Sequence, residues 1–191
     1  MNKMNLSRRQ FLATGGAVAA CACCPCRVAR GAVVATPAAD LQPSLVAACG
    51  IYCGACPAQI ASLKAKTHSE VKCLGCWNQK HPSAYAPKCA VRKCAKLKHV
   101  QSCGACQSYP CNLIAPLFND KPKYGLREKY LNAVRDQGLE PWLADQKKRW
   151  TCGKCGKSFG YGDKQCPACG GQILTDAEEF AEFKKITGPR A

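Results

Sequence analysis

The sequence is short of acid. Twelve Asp and Glu face 28 Lys and Arg over 191 residues, a formal charge of +16. Residues 1–35 contain no acid, and residues 49–111 contain one, Glu70, against nine bases. The chain shows no paired carboxylates, no Ser/His/Asp set and no glycine loop that would cradle phosphate, which removes the usual signs of a glycosidase, a serine hydrolase or a nucleotide enzyme. Large apolar residues are sparse in 49–111, so that stretch lacks the material of a conventional core. Behind the leader no apolar run approaches the ~20 residues that a helix needs to cross a bilayer.

Cysteine is abundant instead. There are eighteen, and fourteen fall between Cys49 and Cys169 in short spacings. The recurring unit is C-x2-C: Cys53/Cys56, Cys73/Cys76, Cys103/Cys106, Cys152/Cys155 and Cys166/Cys169. Disulfide partners need Cα atoms about 5.5 Å apart and rarely lie as sequence neighbours. Two thiolates on one tight turn suit a single ion, so metal is the first reading.

The leader indicates the compartment. Ser7-Arg8-Arg9-Gln10-Phe11-Leu12 resembles the twin-arginine export signal S-R-R-x-F-L, with Arg8 and Arg9 as its arginine pair. The weakly apolar stretch behind it reads as a signal h-region. Two processing points compete. Cleavage after Ala35 would free Thr36, whereas Val18-Ala19-Ala20-Cys21 resembles a lipobox that would leave Cys21 acylated. The expected location is the periplasm or the outer face of the cytoplasmic membrane, with membrane contact only if Cys21 is lipidated. The twin-arginine translocase is the expected partner during export. That route carries folded proteins, so a metal can be loaded in the reducing cytoplasm before the thiols meet an oxidising envelope.

The expected organisation is a signal peptide (1–35), a Pro/Ala linker (36–48), a cysteine-rich metal or cluster domain (49–118), a helical segment (119–149), a zinc-ribbon-like module (150–172) and a C-terminal helix (173–191). In the helical segment Leu126, Tyr130, Leu131 and Val134 recur at helical spacing and Gly138 is a stop. Pro141 suits a first helical position. Thr175-Asp176-Ala177-Glu178 is a capping box opening a helix that places Phe180, Phe183 and Ile186 on one face. The fold class is thus a small, metal-stabilised, α-rich, cysteine-rich domain with a short C-terminal β zinc ribbon and a terminal helix. Ligation of structural zinc contributes on the order of 10 kcal/mol in small folds, enough to replace a missing core.

Cys152-x2-Cys155-x10-Cys166-x2-Cys169 is the strongest four-thiolate signature, with Gly156 and Gly170 directly after each pair. It resembles a zinc ribbon and, more loosely, a rubredoxin knuckle pair; zinc is favoured over iron. Cys53, Cys56, Cys73 and Cys76 also have four-thiolate spacing. With Cys49 upstream the run has the C-x3-C-x2-C order of radical-SAM enzymes, but Ala55 stands where an aromatic is usual and too few residues remain for a barrel of upwards of ~200. Cys89, Cys94, Cys103, Cys106 and Cys111, with Cys49, offer six candidates for one further four-ligand site, and spacing does not choose among them. A zinc arrangement or 4Fe–4S clusters within 49–111 both remain open, although the regular C-x2-C-x2-C-x3-C-P ferredoxin run is absent. His68, His81 and His99 are read as loop histidines rather than ligands.

CGIYCGACP, CLGCW and CAVRKCAKLKHVQSCGACQSYPC together resemble a domain-of-unknown-function family of small cysteine-rich prokaryotic proteins. The resemblance spans residues 49 to about 172 and implies metal or cluster binding, with no established activity. Beyond residue 35 the charge is +11. A four-thiolate zinc site is net −2, so three would bring this to about +5. Export removes the chain from most nucleic acid, and the basic excess is read as compensation for thiolates. Two functions follow. One is an exported metal-binding module, with zinc as the favoured metal, acting as a non-catalytic scaffold or metal handler; the other is an iron–sulfur or rubredoxin-like electron carrier with an envelope redox partner.

Overall fold

The computed structural model describes residues 43–188; the leader, with Arg8, Arg9, Cys21 and both processing points, lies outside the described residues. The structure is helix-rich. Five α-helices run in chain order: α1 Pro57–Leu63, α2 Ala90–Leu97, α3 Pro122–Gln137, α4 Leu139–Arg149 and α5 Asp176–Thr187. Single 3-10 turns at Cys53–Ala55, His68–Glu70, Ala86–Lys88, Cys103–Ala105 and Ala115–Leu117 carry much of the remaining chain. Among the described residues no strand forms, and the expected β ribbon is reduced to one isolated antiparallel bridge, Thr151 to Ser158. Two tight cysteine turns occupy most of that segment, leaving too little extended backbone for a ladder.

Helix α3 is the hub, packing on α4, α5 and the Cys103–Ala105 turn. Its expected apolar positions are all buried, but they serve two cores. Leu126, Tyr130 and Val134 join a larger cluster with Trp142, Trp150, Phe159, Phe180 and Phe183. Leu131 faces a smaller one with Ala48, Val91, Ala95 and Ile114 under the cysteine-rich segment. Gly138, at φ 91°, ends α3 and donates its N–H to the Val134 carbonyl at 3.0 Å. Helix α4 then starts at Leu139, two residues before the expected Pro141, because the donors of a first turn need no intrahelical partner.

The segment 43–48 is not linker-like. Val46, Ala47 and Ala48 are buried, Val46 bridges Tyr52, and the Cys53 N–H donates to the Leu45 carbonyl at 2.8 Å. The capping box of α5 forms in both directions between Thr175 and Glu178. Its buried stripe is Asp176, Glu179, Phe180 and Phe183, while Ile186 is 84% exposed. The apolar pattern misplaces the face because it ignores Glu179. That carboxylate is 4% exposed and is held by Arg149 Nε at 2.9 Å, Lys129 Nζ at 2.8 Å and the Tyr130 hydroxyl at 3.2 Å, which turns the helix toward α3 and away from Ile186.

Candidate metal centres

The terminal site is built from two equivalent knuckles. In the first, the Gly156 N–H donates to the Cys152 carbonyl at 2.8 Å and the Cys152 N–H to the Lys157 carbonyl at 2.9 Å. In the second, Gly170 donates to Cys166 at 2.9 Å and Cys166 to Gly171 at 2.9 Å. Gly156 and Gly170 sit at φ 68° and 66°, a left-handed conformation that a Cβ disfavours. Cys152 and Cys166 are buried, and Cys155 and Cys169 lie half-buried toward solvent. Beneath them Trp150 packs edge-on against Tyr161 at 4.5 Å and at a tilt against Phe159 at 5.4 Å.

The four sulfurs all lie within 4.8 Å of one another. Cys152 and Cys169 Sγ are 3.8 Å apart, and Cys155 and Cys166 Sγ 3.6 Å apart. A tetrahedron with metal–sulfur bonds of ~2.3 Å has edges of ~3.8 Å, so these separations fit ligands of one ion. A cubane cluster would attach each cysteine to a different iron and spread the four sulfurs further. Without a metal, the Cys155 and Lys154 backbone N–H groups lower the pKa of Cys152 while its sulfur neighbours raise that of Cys155, so one thiolate is favoured within the set. The geometry brings together all four cysteines that the spacing assigns to this site.

The other ten cysteines are free thiols distributed over two neighbourhoods. The tetrapeptide Cys-Gly-Ala-Cys occurs at 53–56 and at 103–106 and makes the same 3-10 turn twice; the last N–H returns to the first carbonyl at 2.9 and 3.0 Å. Burial pushes the Cys53 thiol well up, and the neighbouring thiols Cys76, Cys49, Cys56 and Cys73 add to it. Burial likewise raises Cys76 to about 11, against the Ala48 N–H, with Cys49 and Cys89 nearby. Cys103 is pushed up to about 12 by burial and then by Cys49, Cys111, Cys106 and Cys94. Cys49 therefore lies between the two groups.

Several residues that position these thiols escaped the sequence reading. The buried Ser62 hydroxyl accepts the Lys72 and Cys73 N–H groups, each at 3.0 Å, and fixes the Cys73 turn. Gly75 donates its N–H to Cys73 Sγ at 3.4 Å. Arg92 donates its N–H to Cys89 Sγ at 3.4 Å and its Nε to the Cys76 carbonyl at 2.6 Å, tying those two segments together. Lys123 brings its ammonium to 3.6 Å from Cys56 Sγ. A serine, an arginine and a lysine acting across 10 to 67 residues leave no local sequence signal. His68 and His81 stack on each other at 6.2 Å, and among the described residues no histidine joins a group of ligand atoms as close as the terminal four.

Of the ten cysteines of 49–111, Cys53 and Cys103 lie in 3-10 turns, Cys94 lies in α2, and Cys73 and Cys89 accept backbone N–H···S contacts. Residues 45–116 match the family described as protein of unknown function (DUF3795). The match contains all ten cysteines of 49–111 and stops before α3, so the terminal knuckles lie outside the DUF3795 segment. Residues 5–23 match the model of the TAT (twin-arginine translocation) pathway signal sequence, which supports export across the cytoplasmic membrane and handling by the twin-arginine translocase. No curated protein and no solved structure matches the chain. Among the described residues no helix is long and apolar enough to cross a membrane.

Proposed function

We propose that this is an exported metal-binding protein that holds zinc at Cys152, Cys155, Cys166 and Cys169 and serves as a non-catalytic scaffold or metal-handling module in the periplasm or at the outer face of the cytoplasmic membrane. The observation that carries the reading is the set of four sulfurs within 4.8 Å, with edges of 3.6 and 3.8 Å. Zinc suits four thiolates in a closed tetrahedron and brings no redox chemistry, consistent with a strut rather than a reaction centre. The ten cysteines of 49–111 form the second metal-binding part, in a DUF3795 segment where burial raises Cys53, Cys76 and Cys103, so that those three thiols keep their protons until a metal displaces them. Folding and loading before export would keep those thiols from oxidising. Metal analysis of protein purified anaerobically from the cytoplasm tests this: stoichiometric zinc is expected, and a metal-free protein with fourteen reactive thiols would refute it.

A second reading is an iron-loaded, rubredoxin-like or iron–sulfur electron carrier. It is favoured by the aromatic bed of Trp150, Phe159 and Tyr161 and by the N–H groups directed at Cys152, both of which would shield and tune an iron centre. That protein would carry iron in place of zinc at the terminal site, with an absorption that bleaches on dithionite.

A further inference from the structure

Spacing alone leaves the five cysteines of 89–111, with Cys49, unpaired. The structure divides them. A partly enclosed cavity of about 30 Å³ lies between α2, the Cys103–Ala105 turn and the segment after Pro110, and Cys94, Cys103, Cys106 and Cys111 all line it. Two other candidates do not. Cys89 accepts the Arg92 N–H on the side facing Cys76, and Cys49 stands between the two thiol groups without lining the cavity.

The cavity is roughly twice what one water requires, but water needs two to four polar partners. Its walls are nearly all apolar, with Val91, Ala95 and Ile114 buried behind the sulfurs, and no acid lines it. Sulfur is a weak hydrogen-bond acceptor and a strong ligand for soft metals. Lys98 stands at the rim, its Nζ 2.9 Å from Ser108 Oγ, where its charge offsets thiolates below. The walls thus disfavour water and favour an occupant held by sulfur.

We propose that Cys94, Cys103, Cys106 and Cys111 form a second four-thiolate centre for a soft, thiophilic metal, distinct from the terminal knuckles. It rests on the reading of the chain as a metal-binding protein, but on different residues. No three of these sulfurs lie within 4.8 Å of one another, wider than the ~3.8 Å edges of a single-ion tetrahedron, so the occupant is an iron–sulfur cluster, which attaches each cysteine to a different iron. Cys103 and Cys106 supply one C-x2-C turn, Cys94 projects from the middle of α2 and Cys111 closes the set.

The test compares metal and acid-labile sulfide per chain, with visible spectra, in anaerobically purified full-length protein and three variants. In the Cys103→Ser/Cys106→Ser variant one centre's metal is expected to be lost while the terminal metal stays. In Cys155→Ser/Cys166→Ser the reverse is expected. Cys89→Ser, whatever it removes from the Cys53–Cys76 group, is expected to leave the Cys94/Cys103/Cys106/Cys111 centre and the terminal metal in place. Iron with acid-labile sulfide and visible absorption, lost in Cys103→Ser/Cys106→Ser, supports the centre; zinc alone or iron without sulfide there overturns it. Where a variant does not fold, alkylation mapping of the loaded wild type decides, with Cys94, Cys103, Cys106 and Cys111 protected as a group and released together by a chelator. Unchanged metal content in Cys103→Ser/Cys106→Ser, or free alkylation of these four in loaded protein, overturns the proposal. A wild type holding one equivalent, lost only in Cys155→Ser/Cys166→Ser, overturns it while leaving the terminal site standing. Absence of metal from the wild type refutes both.

Discussion

Tyr161 donates its backbone N–H to the Ala55 carbonyl at 2.9 Å, fastening the terminal knuckles to the first Cys-Gly-Ala-Cys turn. The contact is reinforced from the other side, where the Tyr52 N–H donates to the Tyr161 hydroxyl at 3.3 Å. Both rings are buried, and Trp142 packs edge-on against Tyr52 at 6.1 Å. The terminal site is consequently part of the main core and not an appendage.

Replacing Tyr161 with Phe keeps the ring and leaves the buried Tyr52 N–H without its acceptor. A loss of about 1–3 kcal/mol is expected, the cost of one orphaned buried polar group. Urea denaturation of the metal-loaded protein measures it. An unchanged midpoint and slope would show that the two segments are not coupled through this contact.

Glu179 joins α5 to α3 and α4 through Lys129, Tyr130 and Arg149. Glu179→Ala removes the acceptor and leaves Arg149, with 14% of its side chain exposed, uncompensated. Loss of one partner of a buried pair costs roughly 3–5 kcal/mol, less here because Lys129 is 41% exposed and rehydrates. Thermal unfolding of this variant beside Lys129→Ala is expected to show the larger drop for Glu179.

Gly125 faces the Phe180 ring and the Asn119 carbonyl so closely that a Cβ would collide with both. Helix α3 can approach α5 at this point only through glycine. Gly125→Ala is expected to destabilise by about 1–3 kcal/mol, as overpacking does, despite the better helix propensity of alanine. A stabilised variant in the same denaturation assay would contradict this packing.

The metal-free protein has a definite pH dependence. Burial first, then neighbouring thiols, raises Cys103 to about 12; burial, opposed in part by the Ala48 N–H, raises Cys76 to about 11. An unfolded thiol ionises near ~8.5. Above that value the unfolded chain binds fewer protons than the native one, so stability is fully present below it and is lost as pH rises toward 11–12. Denaturant midpoints of apo protein should fall through this window. Metal loading deprotonates the thiols in the native state and should remove the fall.

The terminal site was readable from sequence because its determinants are local: two C-x2-C pairs, each followed by a glycine that takes a left-handed turn. The α3 stripe and the α5 capping box were readable for the same reason. What escaped was non-local. Val46 to Ala48 look like linker until Tyr52 and Leu131 cover them, and Glu179 belongs to a buried stripe only because Arg149 and Lys129 come from other helices. The division of the ten cysteines depends on how α2 and the two Cys-Gly-Ala-Cys turns pack, which spacing does not encode.

X-ray absorption at the zinc edge of the anaerobically purified Cys103→Ser/Cys106→Ser variant tests the central claim most directly, since it reads the terminal zinc with the Cys94–Cys111 centre removed. One zinc per chain with four sulfur neighbours at ~2.3 Å is the predicted result. A metal-free variant with these four cysteines alkylatable or bridged as disulfides, or a metal with fewer than four sulfur ligands, would contradict the account.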